Sequence, residues 1–319
     1  MRFKAPTPVM SRPVRVCSIQ YALRPVTNFQ AFAEQVENFV DVGDDYDADL
    51  ILFPELLSTQ LITCIDGPEV EDHARLMRQL SDQFTREFDE LFTRLALEYD
   101  RIILAGTHPR WLNDKFCNVA SVFMPHYDPV HQPKLHLTPT ERQEWCFDAG
   151  NDLSVIETYF GRFGVSICYD VEFPEIARVQ VDHGMQLLLV PYLTDNRRGH
   201  RRVTACAQAR CVENQIFVAT AGMMGSLPLV TDLTAQYAQS GIYTPSDFAF
   251  PLDGLAAEAT PNTEMGVVAD LDLALLDRTR SNGSVLNYQD ADRDTLHTLF
   301  DGKVTLYQRP WNDGTEGHP

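Results

Sequence analysis

Short apolar, β-rich runs alternate with helical periods along the whole of this chain, and that alternation narrows the folds open to it more than any other feature. The runs at 14–20, 49–53, 101–107, 117–124, 154–158, 163–168, 186–191, 215–221 and 265–271 read as strands. Between the first two, Thr27 is a candidate N-cap with Gln30 three residues on, a capping-box pattern. Phe29, Phe32, Ala33, Val36, Phe39 and Val40 then follow helical spacing. A long helix is expected over about 71–99, where Leu76, Leu80, Phe84, Phe88, Leu91 and Leu95 form one apolar stripe, and another over about 199–214. The polar stretch around 126–152 reads as loop, and 225–261, rich in Ser, Thr, Pro and Gly, as loops with short strands. With no repeat and no break in composition, strands interleaved with helices indicate one α/β domain. Its core is expected over about 12–275, followed by a helical and irregular C-terminal tail over 276–319.

Charge and cysteine usage exclude several classes of function. The 319 residues include 45 acidic against 26 basic side chains, a formal net charge of −19. A field of that sign disfavours nucleic acid and anionic membrane surfaces as partners. No apolar run approaches the roughly 20 residues of a membrane span, and no secretory signal follows Arg2 and Lys4. Seven cysteines without CxxC or regular spacing argue against a disulfide framework or structural zinc. The nine histidines show no HxxxH or HExxH spacing, so no metal site is expected. These features suggest a cytoplasmic protein, and an odd number of thiols leaves room for one that reacts.

Reactive groups in α/β sheets usually stand just past the carboxyl ends of strands. Here Leu50-Ile51-Leu52-Phe53-Pro54-Glu55 ends a buried run with a carboxylate, and Phe163-Gly164-Val165-Ser166-Ile167-Cys168-Tyr169-Asp170 ends another with a thiol. Between them, Lys134 and Glu141 stand seven residues apart in an expected loop. Taken singly, each has a plain reading. A Glu after Pro is commonly a solvated turn residue, a Cys closing a strand a small buried hydrophobe, and a Lys near a Glu a surface pair worth little.

Together and in this order they resemble the nitrilase superfamily of carbon–nitrogen hydrolases. The resemblance runs from the first strand through Phe53-Pro54-Glu55 and Lys134 to Glu141-Arg142-Gln143-Glu144-Trp145. It continues through Cys168-Tyr169-Asp170-Val171-Glu172-Phe173-Pro174-Glu175 and ends at Ala209-Arg210-Cys211-Val212-Glu213-Asn214-Gln215. It implies an αββα sandwich that stacks in pairs into a homodimer or higher homo-oligomer, with no cofactor. It implies a Glu–Lys–Cys triad: Cys168 as nucleophile, Glu55 as general base and then acid, and Lys134 beside the developing oxyanion with the backbone N–H of Tyr169. Glu141 resembles the family's second glutamate, which orients the lysine and the substrate. Cys168-Tyr169-Asp170 looks like the amidase form, whereas nitrilases generally carry Cys-Trp-Glu there. The expected substrate is therefore a small amide or carbamoyl compound, hydrolysed to release ammonia or an amine. Nitrile hydrolysis, acyl transfer to an amine and a catalytically silent binding protein are the alternatives.

One departure, one further likeness and a charge cluster bear on the substrate. Many amidase branches carry Arg where this chain has Glu172, which puts their carboxylate-bearing substrates in doubt. The stretch from Tyr237 to Pro251 looks like that of a subgroup with some members fused to an acetyltransferase domain. Arg197, Arg198, Arg201 and Arg202 form the densest basic cluster. Local acidic partners account for it most simply, and an anionic substrate group meeting Arg198 or Arg202 is the sharper expectation. Tyr192 and Thr194, just past a strand beside that of Cys168, are candidate pocket residues.

Overall fold

The structure, a computed structural model, describes residues 13–291, so the tail expected over 276–319 is described only in its first part. In chain order the elements are β1 (Val14–Leu23), α1 (Phe29–Asp45), β2 (Leu50–Leu52), α2 (His73–Tyr99), β3 (Ile102–Leu112), β4 (Lys115–Phe123), β5 (Val130–Pro133) and α3 (Pro139–Gln143). There follow β6 (Val155–Glu157), β7 (Arg162–Val165), α4 (Pro174–Asp182), β8 (Leu187–Leu193), α5 (Arg197–Asn214) and β9 (Phe217–Gly225). The last are β10 (Gly241–Tyr243), β11 (Leu255–Glu258), β12 (Met265–Leu271), α6 (Leu273–Asn282) and α7 (Asn287–Asp290).

The strands lie in the order β5-β4-β3-β2-β1-β9-β8-β7-β6, with β12 antiparallel on β1 and the β10–β11 hairpin on β9. β1 belongs to two sheets. Val16, Cys17 and Ser18 pair in parallel with β2, while Tyr21, Ala22 and Leu23 pair in parallel with the end of β9. Side-chain alternation then sorts the core. Val14, Val16, Leu50, Leu52, Ile102 and Leu104 face one hydrophobic cluster, shared with β7, β8 and β9. Their neighbours Cys17, Ile19, Ile51, Phe53, Ile103 and Ala105 face a second cluster, which Phe32, Val36, Leu80 and Phe88 of α1 and α2 close. Leu187 to Val190 are buried in succession, as in a parallel strand covered on both faces. Ala177 of α4 and Val203 and Ala207 of α5 join them on the far side. Helices, sheet, sheet, helices: this is the αββα layering that the resemblance implies.

Several boundaries differ from expectation for identifiable reasons. Asn28, not Thr27, caps α1, its Oδ1 accepting from the Ala31 N–H at 2.9 Å. α5 starts at Arg197 because the Asn196 side chain caps it, accepting from the Arg198 and Gly199 N–H groups. The stretch around 126–152 is not all loop. It holds β5 and α3, whose four and five residues are too short for a period to show. α6 crosses residue 275, the expected end of the core, with Leu273 and Leu276 buried in the first cluster. No helix among the described residues is long and apolar enough to cross a membrane.

One glycine sets the approach of β3 to the turn that carries Glu55. Gly106 (φ +64°) sits where the β3–β4 register shifts, and a Cβ there would overlap the Pro54 carbonyl oxygen. The neighbouring Thr107 Oγ1 accepts from the Leu56 N–H at 2.7 Å, fastening the turn that follows Pro54. Gly67 has the same φ but open space around it, so the pair separates backbone strain from overlap. Gly106→Ala should cost at least about 2 kcal/mol of unfolding free energy and Gly67→Ala clearly less. Urea melts of the two variants check this, and equal losses would show that the Pro54 contact is unimportant.

Candidate active site

Each of the four candidate groups is delivered by the end of an element. The Phe53 N–H still bonds the Leu104 carbonyl beyond β2, at 2.9 Å. Pro54 then ends the pairing, and Leu56 takes a left-handed conformation (φ 53°) that turns the chain away, leaving Glu55 inside. Lys134 follows β5 directly, its N–H bonded to the Asn118 carbonyl at 2.9 Å. Glu141 lies in the first turn of α3, where its carboxylate accepts from the Thr138 N–H and the Thr138 hydroxyl accepts in return from the Glu141 N–H. This capping box aims the carboxylate back towards the strand. Cys168 begins a 3-10 turn (Cys168–Glu172) and is itself left-handed, φ 47°. A non-glycine residue there stores strain that the surroundings must hold.

Asp170 supplies part of that hold. Its carboxylate accepts from the Ile167 N–H at 3.3 Å, the Leu135 N–H at 3.2 Å and the His136 N–H at 2.7 Å. One side chain thus ties the cysteine turn to the lysine segment.

The four side chains converge. Glu55, Lys134, Glu141 and Cys168 are 2%, 1%, 3% and 6% exposed. Lys134 Nζ donates to Glu55 Oε1 at 2.7 Å and to Glu141 Oε1 and Oε2 at 2.8 and 2.7 Å. Asn118 Nδ2 bridges the same carboxylates at 2.9 and 3.0 Å. The Leu193 N–H holds Glu55 Oε2 at 2.9 Å, and the Cys168 thiol donates to the Leu193 carbonyl at 3.6 Å. The Tyr169 N–H, next in the cysteine turn, has no acceptor among the described residues.

Burial and three mutual charges divide the titrations. Burial pushes the Glu55 carboxyl above the ordinary glutamate value and Glu141 adds to this, although the Lys134 charge pulls it down. Burial would also raise Glu141, but the Lys134 charge, its hydrogen bonds and the Thr138 N–H outweigh that and hold it low. Burial alone would lower Lys134, yet Glu141 and Glu55 keep it firmly protonated. Cys168 is pushed well up by burial and by the Glu55 charge, so its resting form is the thiol. A thiol in this setting reacts only with a base to take its proton, and of the two carboxyl groups bonded to Lys134 the one held high is Glu55.

All four groups line one cavity of about 740 Å³, together with Tyr169, Thr194, Trp145 and Asp232. Tyr192 does not line it. Its ring is fully buried against Gly222, where a Cβ would overlap it, and its hydroxyl accepts from the Gln239 N–H at 3.0 Å. Arg198 does not line it either. The lining residues of α5 are Gly199, Arg202 and Val203, one stripe of the helix, and Arg198 stands about 100° round from Gly199. Arg202 itself is paired, its Nε donating to Glu172 Oε1 at 3.3 Å.

Sequence reasoning missed Asn118, whose only signal was a lone amide inside the apolar run 116–123. Asp170 shows in the sequence only as the third residue of Cys168-Tyr169-Asp170, with nothing to mark its role. Asp232 gave no signal. It meets His73 Nδ1 at 3.1 Å and, with Glu144, makes the one group among the described residues able to hold a cation, its ligand atoms within 4.8 Å of one another. Glu144 is exposed, and Asp232 also accepts from the Trp145 indole N–H at 3.0 Å, so pairing among these side chains accounts for the arrangement.

The sequence profile of the carbon–nitrogen hydrolase family matches residues 15–281. The chain is 42% identical over 288 residues to "Probable hydrolase YhcX" of Bacillus subtilis, which covers 90% of this chain but 55% of that relative's length. It is 25% identical over 299 residues to the omega-amidase NIT2-B of Xenopus laevis, covering 91% and 98% of the two chains. Among solved structures, Saccharomyces cerevisiae Nit3, a member of the nitrilase superfamily, aligns with a TM-score of 0.67 at 21% identity over 87% of this chain and 96% of its own. A mutant of the amidase from Nesterenkonia sp. AN1, with an acetamide moiety added covalently at its active-site cysteine, aligns at 0.69 and 21% identity over 93% and 99%. By the extent of the profile match and its likeness to these relatives, the chain belongs to the carbon–nitrogen hydrolase family.

Proposed function

We propose that the chain hydrolyses a small amide or carbamoyl compound through a thioester on Cys168. The observation that carries this reading is the meeting of a thiol, an ammonium and two carboxyl groups in one cavity, with Lys134 Nζ bonded to both carboxylates. The omega-amidases among the relatives favour amides over nitriles, as does Tyr169 after the cysteine.

In this scheme Glu55 takes the thiol proton as Cys168 Sγ bonds to the carbonyl carbon and the C=O electrons move onto oxygen. The Lys134 ammonium and the Tyr169 N–H face that oxyanion, and a donor so aimed contributes on the order of 3 kcal/mol. Collapse breaks the C–N bond, and Glu55 returns the proton to the departing nitrogen. Water then attacks the thioester and gives its proton to Glu55. The C–S bond breaks, the acid leaves and the proton returns to sulfur. A carboxyl group that both accepts and donates works best with a raised pKa, which its buried strand end supplies. Glu141 stays ionised and holds Lys134 in line.

Four outcomes test the scheme. Intact-mass spectrometry after incubation with a panel of amides should reveal an acyl adduct on Cys168. Cys168→Ala should abolish both adduct and hydrolysis with an unchanged circular dichroism spectrum, and retained hydrolysis would overturn the scheme. Lys134→Met should lower kcat/KM by about a hundredfold to a thousandfold. Because protonated Glu55 cannot act as base and burial raises its pKa, kcat/KM should fall as pH drops through a value above 4.5. An acid limb at or below 4.5 would assign the base elsewhere.

A further inference from the structure

The charge class of the substrate is written into the cavity wall at Glu172. This residue ends the same 3-10 turn that Cys168 begins, so its carboxylate stands in the cavity of the thiol. It is not an incidental surface group. Its side chain is 20% exposed, and only one of its oxygens is engaged, by Arg202 Nε at 3.3 Å. Glu172 Oε2 has no hydrogen-bond partner among the described residues.

Arg202 does not cancel it. The guanidinium side chain is 64% exposed, so water and salt screen its charge, whereas the less solvated carboxylate acts on the cavity through a lower dielectric. The remaining charges of the wall lean the same way. Beyond the four buried groups, the cavity is lined by Glu172, Asp195 and Asp232 against Arg202 alone, with His73 beside Asp232. Within the buried set, one ammonium faces two carboxyl groups, so the catalytic end offers no spare cation to an anionic substrate.

We infer that Glu172 is a specificity-determining residue that receives a protonated amine on the substrate, so that the preferred amides are cationic at the end away from the scissile bond. This rests on the hydrolytic reading above and replaces the expectation of an anionic group meeting Arg198 or Arg202. A carboxylate-bearing amide would have to displace Arg202 from Glu172 and lie against three acidic side chains. An amine finds an open acceptor and an attractive field.

Three amides of similar length make the test: 5-aminopentanamide (cationic), hexanamide (neutral) and the monoamide of glutaric acid (anionic). Rates are measured with wild type, Glu172→Gln and Arg202→Gln, and binding of the same compounds to Cys168→Ala is measured by calorimetry. Wild type should favour the cationic amide over the neutral one by at least tenfold in kcat/KM, and the anionic one should be poorest. Glu172→Gln should lower the cationic-to-neutral ratio at least fivefold, and Arg202→Gln, a change at an exposed side chain, should raise it. Hydrolysis with a neutral or anionic preference, or a ratio that neither variant moves, overturns the inference and leaves the hydrolytic reading standing. If no amide is hydrolysed but Cys168→Ala still binds the cationic one selectively, the hydrolytic reading fails and only the recognition of a protonated amine in the cavity stands. Absence of both hydrolysis and selective binding overturns the inference as well.

Discussion

A single ammonium group, Lys134 Nζ, sits almost without solvent between two carboxylates, and the architecture around the cavity is the means of keeping it there. Moving such a group out of water costs several kcal/mol, recovered only if its partners are close and well aimed. Each partner comes from a different element: Glu55 from beyond β2, Glu141 from α3, and the bridging Asn118 from β4. Removing any of them would leave buried charge uncompensated. The same pressure divides the two carboxyl groups. Glu141, with two bonds from Lys134 and one from the Thr138 N–H, is held ionised, while Glu55 is pushed up by burial and by its neighbour. Two glutamates of identical chemistry thereby acquire different work.

The thiol is added to this arrangement under strain. Cys168 is left-handed, and the Asp170 carboxylate binds the turn to the residues that follow Lys134. The backbone that fixes the ammonium therefore also fixes the sulfur. Leu193 completes the connection, since its N–H holds Glu55 and its carbonyl accepts from the thiol. The end of β8 thus fixes the Glu55 carboxyl group relative to the Cys168 thiol through backbone atoms alone.

How much of this could be read in the chain depended on how local each signal was. The turns at Glu55 and Cys168 show in the chain as short β-rich runs that stop at a polar group, and their roles only through the order of the motifs. Lys134 and Glu141 were legible only through their order among the motifs, since β5 and α3 are too short to show a period. Asn118, Asp170 and Asp232 act across the fold, at partners up to 159 residues away, and no spacing rule reaches that far. The misassigned pocket residues failed for a related reason. Tyr192 and Arg198 adjoin true lining positions in sequence, but strand alternation and helix phase turn their side chains elsewhere. Arg202, one turn beyond Arg198, does reach the cavity and there meets the Glu172 carboxylate.

The central claim is that burial raises the Glu55 carboxyl group while the Lys134 charge limits the rise. It is tested most directly by following the Glu55 carboxyl carbon by NMR through an acid titration, in wild type and in Lys134→Met. The account predicts a midpoint above 4.5 in wild type and a higher one without the lysine, because burial remains while the opposing charge is lost. A wild-type midpoint at the ordinary glutamate value, or one indifferent to Lys134 in a variant that keeps its native spectrum, would contradict it.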